Sequence, residues 1–218
     1  MGSLTTKMLL AETFVSLITK SSNGKISVSD IIAASDKTRK TFYYHFHDRD
    51  ELIIWIFRND LASMLEEHID PSQLIYEKTK GDLLSSFPYY ARVKKGVRSL
   101  DNTIFFQCLH DCVKKRRTYY SIILQDTGLC SLQHYLFDLY MPALKEDIRF
   151  ILSNRFLKES NIAFLAEFYT GAFISTLIRL TATNEGISHT LGEIGPFGNI
   201  IHSSLESEIA AQQLRRSL

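Results

Sequence analysis

The sequence predicts an all-α protein in which an N-terminal three-helix, helix-turn-helix head precedes a C-terminal helical bundle. Three N-capping residues, Ser27, Thr38 and Asp48, stand close together, and Ser27 and Asp48 are each followed three residues later by an acid, as in a capping box. A capped helix, a short turn and a second capped helix form the helix-turn-helix pattern. After residue 101, apolar residues recur at helical spacing, and the sequence has no alternation long enough for a sheet.

The helix-turn-helix segment separates a buried face from a polar one. In the first short helix, Val28, Ile31 and Ala34 recur every three residues and share one face. In the second, Phe42 and Phe46 lie four residues apart and predict the buried side. The other side of the second helix carries cationic and hydroxyl groups: Arg39, Lys40, Thr41, Tyr43 and Tyr44.

The charge balance of the whole chain neither favours nor excludes nucleic acid as a partner. The 218 residues include 25 Lys and Arg against 24 Asp and Glu, and 45% are hydrophobic, which is ample for a core. Any DNA-binding face must therefore be a local cluster. Lys37, Arg39 and Lys40 supply such a cluster around the start of the second helix.

Cysteine number and the lengths of apolar runs predict a cytoplasmic protein. Three cysteines are an odd number, which argues against a disulfide framework and suits a reducing compartment. No uninterrupted apolar run approaches about 18 residues, so no membrane span is predicted. Cys108 and Cys112 share a helix face, but His110 between them points away, so they are interpreted as core residues and no metal site is expected.

Residues Ile26–Leu52 resemble the DNA-binding signature of TetR-family transcriptional regulators, which runs roughly I-T-V-x-D-I-A-x-x-A-G-V-S-x-x-T-F-Y-x-H-F-x-x-K-x-x-L. The matching positions are Ser27, Val28, Asp30, Ile31, Thr41, Phe42, Tyr43, His45, Phe46 and Leu52. The longer run TFYYHFHDRDELIIWIF is similar to the branch that includes dihydroxyacetone kinase operon regulators. Asp36 stands at the turn glycine position, where a left-handed backbone is expected, and Lys37 replaces a small apolar residue.

The resemblance implies a bacterial regulator that binds a near-palindromic operator as a homodimer, with its DNA affinity controlled by a small-molecule effector. Arg39 and Lys40 are expected at base edges, and Tyr44 at a base or methyl group. Thr41, Tyr43 and His45 are expected at phosphates. Lys37 and Arg49 are also expected at the DNA backbone, where contacts position the protein without specifying sequence. The predicted DNA-binding residues are Ser27, Lys37, Thr38, Arg39, Lys40, Thr41, Tyr43, Tyr44, His45 and Arg49. The alternative is an ordinary surface helix with solvated charges.

The C-terminal helices are expected to form the dimer. Residues 160–183 are apolar on more than one side, so we expect them to pair with residues 196–214 and a second copy as a four-helix bundle. A charge at Ile201 or Leu205 is then expected to give monomers. The predicted domains are a DNA-binding head, 1–50, and a dimerisation and effector-binding domain, 51–218.

Large aromatic residues after position 100 predict an effector pocket between the helices that begin near Asp101, Ser131 and Ser160. Ligand sites are mostly apolar and contain a few polar groups. A close-packed core explains the same residues without a cavity, and this alternative stays open. The predicted pocket residues are Cys108, Tyr120, Tyr140, Phe168 and Tyr169.

Two other functions stay open. A regulator or activator whose input is a partner protein would have a small or absent cavity and an exposed apolar patch. A helix-turn-helix fused to an enzyme or carrier domain would need convergent polar residues after Asp101. The sequence has no Gly-rich phosphate loop, nucleophile elbow or His-Glu-x-x-His pattern, so neither an enzyme nor a cofactor is predicted. Residues 71–100 have little periodicity and are expected to be partly irregular, with short helices.

Overall fold

A computed structural model describes residues 2–21, 24–77, 83–128, 131–182 and 203–211. Within these ranges the chain is predominantly helical, and the predicted all-α class is confirmed, with α1 to α3 forming the head. The helices are α1 (Gly2–Lys20), α2 (Val28–Ser35), α3 (Arg39–His45), α4 (Arg49–His68), α5 (Thr103–Lys115), α6 (Arg117–Ile123), α7 (Leu132–Leu152), α8 (Glu159–Ala182) and α9 (203–211).

An irregular segment with a small sheet connects α4 to α5. After a 3-10 turn at Pro71–Gln73, β1 (Leu74–Ile75) pairs antiparallel with β2 (Tyr90–Ala91). The sequence-based expectation of irregular chain with short helices misses this sheet. Strands of two residues are too short to produce a readable alternation, so the sequence pattern could not reveal them.

The last predicted helix is described only in part. Residues 203–211 form α9, and Leu205 and Ile209 are buried as the amphipathic pattern predicts. The rest of the predicted segment 196–214, including Ile201, lies outside the described residues, and so does residue 183.

The main hydrophobic core runs without interruption from the head into the C-terminal helices. It joins Phe14 of α1 and Phe42 of α3 to Trp55 of α4, and it continues to Tyr140 of α7 and Phe173 of α8. A second cluster lies where α9 packs against the end of α7 and the first half of α8. The domain boundary at residue 50 stays a prediction, and one continuous core joins the residues before it to those after it.

Arg58 of α4 is fully buried and fastens the irregular segment to the helices. Its guanidinium donates to the Glu77 carboxylate at 2.6 Å and to the Tyr135 hydroxyl of α7 at 2.7 Å. It also donates to the backbone carbonyl oxygens of Leu84, at 3.2 Å, and Phe87, at 2.6 Å. These groups supply the partners that a buried charge requires.

Asp60, two residues later on α4, fixes the position of α6. It accepts a hydrogen bond from the Tyr120 hydroxyl at 2.9 Å, and Arg116 Nε lies 2.8 Å from its carboxylate. Arg116 also donates to Glu12 of α1 at 3.0 Å, so one guanidinium connects α1, α4 and the start of α6. Burial raises the pKa of Asp60, and the charge of Arg116 opposes that rise.

A third buried polar group, Asp147 of α7, anchors β2 and the residues before α5. Its carboxylate accepts hydrogen bonds from the Tyr90 hydroxyl at 2.6 Å and from Arg92 Nε at 2.6 Å. Asn102 Nδ2 donates to the same carboxylate at 3.2 Å. The segment between α4 and α5 is therefore held against the helices at two separate points.

We expect Arg58→Ala to lower the free energy of unfolding by about 3–5 kcal/mol, because it leaves the Glu77 carboxylate and two backbone carbonyls without their donor. Urea denaturation followed by circular dichroism measures the change. Arg98→Ala, at an exposed position of the same segment, is the control and should stay within about 0.5 kcal/mol. Equally small losses in both variants would contradict the anchoring role of Arg58.

Candidate nucleic-acid interface

Side-chain caps shape the turn between α2 and α3. Ser27 Oγ accepts from the Asp30 N–H at 3.2 Å, and the Asp30 carboxylate accepts from the Ser27 N–H at 2.8 Å, which confirms the predicted capping box. Hydrogen bonds from Ser27 lower the pKa of Asp30. At the other end of α2, Asp36 has φ 53°, the left-handed conformation expected at the glycine position of the family pattern.

The caps of α3 and α4 fix where these two helices begin. Thr38 Oγ1 accepts from the Thr41 N–H at 3.1 Å, and the two hydroxyl oxygens lie 2.9 Å apart. Asp48 accepts from the Glu51 N–H at 2.8 Å, as predicted. The Glu51 carboxylate, however, accepts from the His47 N–H, so the return bond of this capping box is displaced by one residue.

Helix α3 buries its phenylalanines and exposes its polar side chains. Phe42 and Phe46 are buried, and the Phe46 ring packs against Trp55 of α4 with centroids 5.8 Å apart. This contact attaches α3 to α4. The exposed side chains of α3 are Arg39, Lys40, Tyr43 and Tyr44, and the last of these is 80% exposed.

Arg39 is restrained by Tyr43, one turn later on the same helix. The guanidinium lies 5.4 Å from the ring centroid, and Nη2 is 3.5 Å from the phenolic oxygen. This cation–π contact restrains the guanidinium while the Arg39 side chain stays exposed. Arg is the side chain that most often reads guanine in the major groove, and the structure places one exposed on the first turn of α3.

The other predicted DNA contacts are less exposed. Lys37 and His45 are half-buried. Arg49 Nη2 lies 3.3 Å from Asp50 and 3.7 Å from Asp126, which belongs to the connection between α6 and α7. The contact of Arg49 with the DNA backbone stays a prediction, and in the free protein its guanidinium has acidic partners of its own.

The environment of His45 favours its neutral form. Burial lowers the pKa of His45, and the positive charge of Lys7 on α1 lowers it further. Because the ordinary histidine pKa is already about 6.5, the imidazole is predominantly neutral at pH 7. If His45 approaches a phosphate, it therefore does so as a neutral N–H donor at that pH.

Comparisons with known proteins find transcriptional regulators. The family model TetR_C_8, described as "Transcriptional regulator C-terminal region", matches residues 103–184. The chain is 37% identical over 68 residues to the HTH-type dhaKLM operon transcriptional activator DhaS of Lactococcus lactis subsp. lactis (strain IL1403), covering 31% of this chain and 36% of that protein. Residues 103–184 therefore resemble the C-terminal region of TetR-type transcriptional regulators. The family and branch inferred from the sequence are confirmed.

Other relatives are more distant. The probable acrEF/envCD operon repressor of Escherichia coli (strain K12) is 26% identical over 113 residues, which cover 48% of this chain and 49% of the repressor. The aligned parts span 36% and 49% of these two curated relatives. A solved structure, "Dihydroxyacetone kinase operon activator DhaS", aligns over 95% of both chains with 16% identity and a TM-score of 0.47.

Three of the predicted pocket residues are packed in the main hydrophobic core. Cys108, Tyr120 and Tyr140 are buried. Cys108 Sγ lies 3.5 Å from the Met64 carbonyl oxygen, and the Tyr140 hydroxyl donates to the Tyr89 carbonyl oxygen at 3.2 Å. The Tyr120 hydroxyl donates to the carboxylate of Asp60 on α4. Each polar group thus has a partner within the chain, as buried polar groups require.

The other two predicted pocket residues lie on α8. Phe168 is 58% exposed, whereas Tyr169 is buried and donates from its hydroxyl to Ser204 of α9 at 2.6 Å. Both residues line an open groove beside α9. Tyr169 belongs to the second hydrophobic cluster, whereas the three core residues belong to the main one. Within the described ranges, the five residues therefore do not line one common pocket. Aromatic content suggested a cavity, but the rings pack against one another instead.

The buried cysteines have the properties of core residues. Burial raises the pKa of Cys108 to about 11, and it raises the pKa of Cys112 further, so both thiols are neutral at pH 7. His110 Nδ1 lies 2.8 Å from the Asp111 carboxylate. Among the described residues, no three His, Cys, Asp or Glu side chains are grouped so as to hold a metal ion.

Helix α8 has an unusual composition for a partly exposed helix. In the described ranges, Glu159–Arg179 is the one stretch whose length and mean hydropathy of 1.3 would allow it to cross a membrane, although 44% of it is buried inside the protein. The core helix of a soluble protein meets the same criteria. The sequence scan for uninterrupted apolar runs missed this stretch because Glu167 and several small polar residues interrupt it.

We expect Lys7→Met to raise the pKa of His45, because the substitution removes a neighbouring positive charge. An NMR titration of the imidazole measures the shift. Lys20→Met, at the far end of α1, is the control and should leave the titration unchanged. The same titration curve in all three proteins would show that Lys7 exerts no field on His45.

Proposed function

We propose that this chain is a cytoplasmic, homodimeric transcriptional regulator that binds a near-palindromic operator in double-stranded DNA. One observation carries the proposal: α3 buries Phe42 and Phe46 while it exposes Arg39 and Lys40 at its capped N-terminal end. In helix-turn-helix proteins, a helix held in this way enters the major groove with its N-terminal residues at the base edges. The relatives named as an operon activator and an operon repressor support this reading.

The proposed contacts divide into those that specify sequence and those that position the protein. Arg39 and Lys40 read bases, and the ring of Tyr43 reduces the conformational freedom that Arg39 loses on binding. Tyr44 contacts a base or methyl group beside them. Lys37 precedes the cap of α3 and contributes charge to the DNA backbone. The other residues that contact the DNA backbone are Ser27, Thr38, Thr41, Tyr43, His45 and Arg49.

Two copies of α3 are needed to read both halves of a near-palindrome, whose centres are about 34–36 Å apart. The predicted interface segments, 160–183 and 196–214, supply a surface for this pairing. Phe164 and Phe168 of α8 are 64% and 58% exposed, and exposed aromatic patches of this kind mark interaction surfaces.

A charge at Leu205 is a poor test of the dimer. Leu205 is fully buried in the second cluster of its own chain, beside Tyr169 and Ile209. A charge at Leu205 would therefore unpack α9 from α8 before it could separate two subunits. A test of the interface has to use the exposed face of α8 instead.

We further propose that an effector acts by moving α4. This helix is joined to the irregular segment through Arg58 and to α6 through Asp60, and α3 is packed against its first half. A small molecule that displaces either neighbour changes the separation of the two copies of α3. The separation of the two α3 helices then no longer matches that of the two operator half-sites, which couples the effector site to DNA affinity.

A second candidate has a partner protein as the input of the regulator. The observation that favours it is the close packing of Cys108, Tyr120 and Tyr140, which fills the place where the sequence suggested a small-molecule pocket. In that case the partner protein binds at the surface and moves α4 through the same contacts of Arg58 and Asp60. Neither candidate includes a catalytic activity or a cofactor, and the curated relatives are named as regulators.

We expect Arg39→Ala and Lys40→Ala to lose selectivity between operator and scrambled duplexes, while Lys37→Ala weakens binding to both about equally. A lost base contact costs about 1–3 kcal/mol at one position, whereas a lost phosphate contact lowers the salt slope by about one. Fluorescence anisotropy titrations at several salt concentrations, on a duplex enriched from a random library and on its scrambled version, measure both quantities.

Lys20→Ala, on α1 and away from α3, controls for the loss of one positive charge. Circular dichroism melts confirm that each variant is folded. Uniform weakening by Arg39→Ala, or no effect of any α3 variant, would remove α3 from the DNA-reading role.

A further inference from the structure

We infer that Asp126, in the connection between α6 and α7, competes with the DNA backbone for Arg49 and so restrains DNA binding by the free protein. The two side chains are here called the 49–126 ion pair. The inference rests on the proposed function, which assigns Arg49 to the DNA backbone. It adds an inhibitory contact within the chain to that function and gives the direction of its effect.

Arg49 is the first residue of α4 and has two carboxylates beside it in the described part of the chain. Its Nη2 lies 3.3 Å from Asp50 Oδ1 and 3.7 Å from Asp126 Oδ2. Asp50 is the next residue of the same helix and moves with Arg49. Asp126 belongs to a different element, so its distance from Arg49 depends on how α4 is placed against α6 and α7.

The Asp126 carboxylate is positioned by its own connection. Its Oδ1 accepts from the Gly128 N–H at 2.9 Å, and the Asp126 N–H donates to the Ile123 carbonyl oxygen at 3.3 Å. The Gly128 carbonyl oxygen in turn accepts from the N–H of Ser131, which caps α7, at 2.9 Å. One carboxylate oxygen is therefore bound within the connection, while the other lies next to Arg49.

The head and the C-terminal helices approach each other closely around this ion pair. Gly24, between α1 and α2, has φ 65°, and a Cβ added there would lie 2.7 Å from Ile122 Cγ2 of α6. Arg49, Asp126 and Gly24 also line one small cavity of about 50 Å³, which has room for no more than a few water molecules. A displacement of the head against α6 and α7 therefore changes the distance between Arg49 and Asp126.

One guanidinium cannot satisfy the carboxylate and a phosphate equally well. An arginine that binds a phosphate in the favoured bidentate geometry uses the same N–H groups that face a carboxylate partner. Arg49 must therefore give up part of its contact with Asp126 when it binds DNA. The two side chains are 33% and 52% exposed, so the cost is that of a partly exposed ion pair, about two- to fivefold in affinity.

The direction of the effect follows from the same geometry. Movement of the connection between α6 and α7 away from Arg49 frees the guanidinium and strengthens DNA binding, whereas closer approach weakens it. Because a phosphate contact carries no sequence information, the effect is equal on operator and unrelated DNA. A change in the separation of the two copies of α3 would instead alter binding to the operator alone.

Fluorescence anisotropy titrations of full-length variants, on the enriched duplex and on its scrambled version, test the competition. We expect Asp126→Asn to lower the dissociation constant about two- to fivefold on both duplexes. Asp126→Glu retains the carboxylate and should stay close to the wild type. Asp138→Asn is the matched control for the loss of one negative charge, because Asp138 is exposed on α7 beside His134, and it should bind like the wild type.

A double-mutant cycle separates the ion pair from a general effect of charge. Arg49→Ala should weaken binding and lower the salt slope by about one, as expected for a lost phosphate contact. In the Arg49→Ala background, Asp126→Asn should no longer strengthen binding, because the group for which the carboxylate competes is missing. An equal gain in both backgrounds would identify a long-range charge effect and overturn the inference.

Thermal melts by circular dichroism establish that each variant is folded. If Asp126→Asn lowers the melting temperature and leaves both dissociation constants unchanged, the 49–126 ion pair only braces the fold, and the inference is overturned. A wild-type salt slope in Arg49→Ala would remove Arg49 from the DNA backbone and overturn it as well.

The failure of this inference is distinguishable from the failure of the proposed function. A wild-type chain that selects an inverted repeat, together with an Asp126→Asn variant of unchanged affinity, would overturn the competition and leave the regulator proposal intact. A wild-type chain that selects no duplex from the random library would overturn both.

Discussion

Two buried charges on α4 determine how the rest of the chain is arranged. Arg58 and Asp60 lie two residues apart and therefore point to different sides of the helix. Arg58 meets the irregular segment and α7, while Asp60 meets α6 and, through Arg116, α1. Removing one partner of a buried pair costs about 3–5 kcal/mol, so α4 has one strongly favoured position between these neighbours.

The position of α4 also sets the position of α3. Three residues separate the two helices, and Phe46 packs on Trp55, so α3 follows any movement of α4. Arg116 binds Glu12 of α1 as well, which connects the head to the start of α6. Under the proposed function, a signal received by the C-terminal helices would reach the exposed side chains of α3 through these contacts.

Structural features that depend on residues close together in the chain could be predicted from the sequence. Features that depend on contacts between distant residues could not. The caps at Ser27 and Thr38 follow from local hydrogen bonding, and the phenylalanines of α3 follow from helical period, so the motif was predictable. The burial of Arg58 depends on groups 19 to 77 residues away, which no local pattern shows. Aromatic content suggested a pocket around Tyr140, yet the same composition also fits a solid core, and the structure has the rings packed.

The most direct test of the account is selection of bound duplexes from a random-sequence DNA library by the purified full-length chain. The account predicts enrichment of an inverted repeat whose half-site centres lie about 10–10.5 base pairs, or a multiple of that, apart, because a two-fold dimer presents two copies of α3. The library selected by Arg39→Ala/Lys40→Ala should lose this repeat. No enrichment by the wild type, or enrichment of a single unrepeated site, would contradict the account.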